Sequence, residues 1–186
     1  MMETILNFSF KSLSVLFLSV GLLTCTTSKI IKTEGQSIVA ISASSTGFGA
    51  SGRGINIVLR NQVSGQEIRS SSLSGLSNHS VVQNVPPGSY IVSRVEVPVG
   101  NITYSNWSKE VVDFFGVIEI SNSSKYYLGN YKGKRGIGLK NILQLSLIDE
   151  SVPENLKEKI EAVGTGWGTE NYNVILPREG SELTVY

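Results

Sequence analysis

One cysteine and one histidine in 186 residues leave little of the chemistry with which proteins hold metals or run nucleophilic catalysis. A hydrolytic triad would have to pass through His79, and the only aspartates are Asp113 and Asp149. His79 sits in the polar stretch Ser77-Asn78-His79-Ser80 ahead of a valine-rich run, and reads as an exposed loop residue. The nearest approach to a nucleophile elbow, Ser72-Leu73-Ser74-Gly75, lacks the first glycine. Zinc needs several histidine or cysteine ligands, and no calcium-loop string of alternating aspartates occurs. No catalytic residue, metal or cofactor is expected on these grounds. Charge is scarce too, at 17% of residues with a net of +1, so no global field favours nucleic acid as a partner. A lone cysteine also excludes an internal disulfide, so its thiol needs another purpose.

That purpose is suggested at the N-terminus. Behind Lys11 runs Ser12 to Thr24, thirteen residues without a charge. A helix crossing a hydrocarbon layer of ~30 Å needs about 20 apolar residues, so this run is too short to span but fits the apolar region of a signal peptide. The run ends at Cys25, and polar residues follow at once. Leu22-Leu23-Thr24-Cys25 resembles the lipobox of bacterial lipoproteins, with Thr24 standing where a glycine, alanine or serine is usual. The resemblance implies cleavage before Cys25, a diacylglycerol thioether on its sulfur, and fatty acyl chains such as palmitate in the membrane. Each buried methylene adds about 0.8 kcal/mol, so two or three chains anchor stably. The expected address is therefore exported and membrane-anchored in the cell envelope, with the outer membrane favoured.

Residues 1–24 read as signal peptide, 25–36 as a lipidated tether, and 37–186 as one β domain. Residues 37–41, 54–60, 90–97 and 141–149 are short β-like runs, and two more, 172–176 and 183–186, close the chain. In the third, Ile91, Val95 and Val97 are expected to share a face. Residues 114–120 and 125–131 suggest a hairpin around Ser121-Asn122-Ser123-Ser124. One helix is expected near 152–163, where Val152, Leu156, Ile160 and Val163 recur at helical spacing behind Ser151 and Pro153. Short strands with turn chemistry between them predict a mostly β fold, an antiparallel β-sandwich. Val85-Pro86-Pro87-Gly88-Ser89-Tyr90 and the strand after it resemble prealbumin-like and carboxypeptidase-regulatory-like sandwich domains. Lys125-Tyr126-Tyr127-Leu128-Gly129 resembles a strand of small bacterial lipoprotein domains. These likenesses imply a fold and no activity.

Three surface features invite a function. Lys125, Lys132, Lys134, Arg135 and Lys140 fall close together among tyrosines. Lys132, Lys134 and Arg135 are read as the tip of a hairpin, either a patch for anionic headgroups and polymers or charges that block edge pairing. Trp167, between small residues, could stack on a ligand or tuck into the core. Gly47-Phe48-Gly49-Ala50-Ser51-Gly52 has the glycine pattern of a dinucleotide loop but leads into a strand, so nucleotide binding is not expected. The function expected is a non-enzymatic binding or assembly module whose partner is an envelope protein or a glycan. The alternatives are a carboxylate-using glycan hydrolase and a structural part of a surface assembly. An exposed apolar patch around Trp107 or Trp167 would favour the binder, and a cleft with two inward carboxylates the enzyme.

Overall fold

The computed structural model describes residues 30–46, 54–72, 78–99, 102–135, 143–167, 171–178 and 182–186. Cys25, the 47–52 glycine stretch and Lys140 lie outside them. The described elements are β1 (Ile30–Ile31), β2 (Ser37–Thr46), β3 (Asn56–Asn61), β4 (Glu67–Arg69), β5 (Ser71–Ser72), β6 (His79–Val85), β7 (Gly88–Val99) and β8 (Ile102–Asn106). After these come α1 (Lys109–Phe115), β9 (Val117–Ile120), β10 (Lys125–Arg135), β11 (Leu143–Asp149) and α2 (Glu154–Val163). The chain closes with β12 (Gly164–Thr165), β13 (Asn173–Val174) and β14 (Glu182–Val185). They form a mostly β sandwich. One sheet runs β14-β11-β10-β2-β6-β5 with β13 beside β10, and the other runs β4-β3-β7-β8 with β9 beside β7. Among the described residues no helix is long and apolar enough to cross a membrane.

Alternation places the core. Val39 and Ile41 of β2, Ile57 and Leu59 of β3, Val92 and Val95 of β7, and Leu143 and Leu145 of β11 meet between the sheets. The edges are stitched as well. Ser105 and Tyr186 exchange backbone hydrogen bonds, joining β8 to the end of β14, and Asn106 Nδ2 donates to Thr184 O at 2.6 Å. On the far side Ser70 crosses between sheets, its hydroxyl accepting from Ile57 N at 2.8 Å.

The first sheet carries a second core on its outer face, where Ile38, Ala40, Val81 and Tyr127 are covered by Leu156 and Ile160 of α2, by Trp167 and by Ile30. The expected helix is thus present, and its apolar stripe explains why it lies flat on the sheet. Ile30 is fully buried and β1 pairs in parallel with β12. Ile30, inside the segment read as a tether, is therefore part of the packed structure.

Several expectations are corrected. The sandwich is not purely antiparallel: β10 pairs in parallel with β2 and with β13. Residues 114–120 and 125–131 form no hairpin, because β9 pairs with β7 in one sheet while β10 enters the other. The turn between them crosses the sandwich, held by Ser37, whose Oγ donates to Ser121 O at 2.5 Å and accepts from Ser124 N at 2.9 Å. Residues 109–115 are a helix rather than part of that strand. Val111, Phe114 and Phe115 fall on one face and plug the sandwich, and the two phenylalanine rings lie against Tyr131 at centroid distances of 6.1 Å. Its end is fixed by Gly116 at φ +69°, whose N–H donates to Val112 O at 2.8 Å.

Bulges decide which side chains face in. In β7, Val58 pairs with Arg94 but Leu59 with Val92, so Ser93 is an extra residue. Strict alternation would put Ile91 with Val95 and Val97. The bulge shifts the phase, so that Tyr90, Val92, Val95 and Val97 face the inter-sheet core and Ile91 does not.

Candidate ligand site on the five-stranded sheet

The Ser93 bulge coincides with a gap in the sheet. Along one side of β7, residues Gly88–Ile91 pair with β9 and Val95–Val99 with β8. Val92, Ser93 and Arg94 fall between these ladders, and α1 runs across the gap. The result is an open depression of about 510 Å³ lined by Arg60, Glu67, Ile91, Ser93, Arg94, Trp107, Ser108, Lys109, Val112 and Asp113.

Each wall has a local cause. Trp107 follows β8 and is 71% exposed, the most exposed aromatic ring among the described residues. It is fixed from below by Asn106, whose Oδ1 accepts from Ser108 N at 2.8 Å while its amide holds Thr184. Val112 is half-buried on α1, and the floor residue Ile91 is buried. Asp113 receives a hydrogen bond from Lys109 Nζ at 2.6 Å, one helical turn back. Glu67 accepts from Ser93 Oγ at 3.3 Å. Among the described residues Arg60 makes no ion pair, whereas Arg94 Nη1 stands 3.5 Å from Glu96 Oε1. The other Glu96 oxygen is taken by Arg69, and Arg94 Nε is buried without a hydrogen-bond partner. The bulge puts Ser93 and Arg94 on the same outer face, which regular alternation would not do.

The residues singled out from the sequence fall elsewhere. Trp167 is 3% exposed, packed against Ile30 and α2 with Lys32 Nζ 5.0 Å over its ring. It offers no open face to a ligand, so of the two tryptophans it is Trp107 that is placed for stacking. Lys132 and Lys134 are exposed but form no hairpin tip. They lie within the β10 ladder, opposite Ser146 and Gln144 of β11 on one side and Ser44 and Thr46 of β2 on the other. Arg135 ends the same strand. The shift comes from the bulge at Gly129, after which Tyr131 faces the core and Lys132 and Lys134 face solvent. Glu182, which accepts from Gln144 and Ser146, adds an acidic group to that face. Lys125 is buried, with Nζ 4.9 Å from the Tyr172 ring.

His79 is also not where the sequence suggested. It opens β6, is 4% exposed, and shares a 2.6 Å hydrogen bond with Ser42 Oγ under α2. Desolvation and then the charge of Lys159 hold its pKa below the usual imidazole value, against a hydrogen bond donated to Asn155 that raises it. The neighbouring Tyr127 hydroxyl is pushed up to about 12, chiefly by burial. A neutral histidine bonded to a serine has the parts of a nucleophile and base, but α2 roofs the pair, so this cluster packs the helix onto the sheet. Among the described residues no three His, Cys, Asp or Glu side chains group as a metal site. No protein-family model, curated protein or solved structure matches the chain.

Proposed function

We propose that the chain is an exported lipoprotein, held in the cell envelope by acyl chains on Cys25, whose β-sandwich works as a non-enzymatic binding module. The observation that carries the reading is an opposition of faces. Ile30, four residues after the 26–29 segment begins, is buried on the outer side of the seven-stranded sheet, under α2. Cys25 lies five residues before Ile30, a reach of at most about 18 Å, so a lipid on Cys25 keeps that side near the bilayer. The Trp107 depression opens on the other sheet, where a partner in the envelope can reach it. An exposed tryptophan beside guanidinium groups in a shallow depression suits recognition.

A hydrolase is the second reading, because Glu67 and Asp113 both line that depression. Each carboxylate already has a partner, Ser93 and Lys109, which suits positioning more than proton transfer. A third role, for the exposed Lys132 and Lys134 and for Arg135 at the end of the same strand, is attraction to anionic headgroups on the same membrane.

The anchor is tested by fractionation. Cys25→Ser is expected to move the protein from the membrane to the soluble fraction and to abolish labelling with a clickable fatty acid. Membrane retention equal to that of the parent would refute the lipid anchor.

A further inference from the structure

We infer that the depression beside Trp107 binds an acidic saccharide, one carrying a carboxylate or phosphate group. The inference rests on the binding-module reading and deepens it. Three features converge. The Trp107 ring is 71% exposed and beside a buried apolar floor at Ile91, which suits the C–H face of a pyranose. Arg60 and Arg94 stand on adjacent strands of the same face, and a guanidinium fork matches a carboxylate or phosphate in two parallel hydrogen bonds.

The third feature is a shortfall in pairing at Arg94. Among the described residues its one carboxylate partner is Glu96, 3.5 Å from Nη1 and shared with Arg69. Its side chain is 40% exposed, so an anion in the depression adds an acceptor for a guanidinium that holds only part of one carboxylate. The two carboxylates of the lining are held by Ser93 and Lys109, at distances of 3.3 Å and 2.6 Å. Lining charges are three cations, Arg60, Arg94 and Lys109, against Glu67 and Asp113, which leaves a net positive rim. A neutral sugar would satisfy the tryptophan and leave Arg60 without a carboxylate and Arg94 with only the shared Glu96. An apolar peptide would leave them desolvated, which is worse.

The test is a glycan array probed with the full chain in detergent micelles. Its arms are uronate-bearing, phosphorylated and neutral saccharides of matched length. Retention is expected on acidic members and not on their neutral counterparts, and the two acidic arms identify which anion is read. Trp107→Ala and, separately, Arg60→Gln are expected to weaken retention about tenfold or more, since stacking and charge-assisted bonds each carry that much. Arg60 is exposed and among the described residues makes no ion pair, so its replacement leaves the fold intact. A blank array, equal retention on neutral glycans, or undiminished retention by both variants would overturn the inference. A blank array together with Cys25-dependent membrane retention sinks only the ligand and leaves the anchored module standing.

Discussion

Gly129→Ala should destabilise this protein more than any other single methyl added to a described glycine of β10. Gly129 has φ +100° at the point where β10 takes up an extra residue against β2. A Cβ there would lie 2.7 Å from Leu147 Cδ1 and 3.4 Å from the Tyr131 ring. Holding an alanine at such a φ costs about 1–3 kcal/mol. Moving the half-exposed Leu147 methyl adds about 1 kcal/mol. The stiffer unfolded chain returns about 0.4–1 kcal/mol. The net is a loss of about 1–3.6 kcal/mol, which for a chain of this size lowers the melting temperature by about 2–14 °C. Gly133 is the control. Its φ is ordinary, and a Cβ would meet two Leu143 methyls at 3.3 Å, so Gly133→Ala should stay within about 1 kcal/mol of the parent. Urea unfolding followed by tryptophan emission reads the difference, since Trp167 is buried. Equal midpoints for the two variants would show that the phase of β10 is not set at Gly129.

Other outcomes follow from the same structure. His79 binds a proton less readily folded than unfolded, so its contribution is complete above the unfolded pKa near 6.5 and declines as pH falls below it. With one histidine in the chain, the urea midpoint should drop from pH 7.5 to 5.5, and His79→Gln should remove most of that slope. Replacing Lys132 and Lys134 with Gln should weaken adsorption to anionic vesicles about 30-fold at low salt, at about 1 kcal/mol per cation, with unfolding unchanged. Vesicle binding equal to the parent would reduce these lysines to a solvated sheet face. Leu156→Ala, which empties a fully buried position under α2, should cost about 2–5 kcal/mol in a denaturant melt. A loss below about 1 kcal/mol would mean that α2 is not docked on the sheet.

The sequence by itself determined what depends on local pattern. Alternation marked β3 and β11, because a strand with one buried face must repeat every second residue, and short apolar runs marked β2 and β14. Helical spacing marked α2, and composition marked a mostly β fold. The helix at 109–115 carried a signal of its own, Val111, Phe114 and Phe115 at i, i+3 and i+4, but the aromatic pair next to Gly116 and Val117 was read as the start of a strand. Tertiary structure decided the rest. Which strands pair is a matter of long-range hydrogen bonding, and a turn such as 121–124 looks the same whether it closes a hairpin or crosses between sheets. The bulges at Ser93 and Gly129 reverse the phase of β7 and β10 without any mark in their hydrophobic pattern, and so they alone place Ser93, Lys132 and Lys134 outward. Trp107 and Trp167 are the same residue type near turns. One is left in solvent at the end of β8, the other is enclosed by α2 and Ile30, and only the packing of distant segments separates an exposed ring from a core side chain.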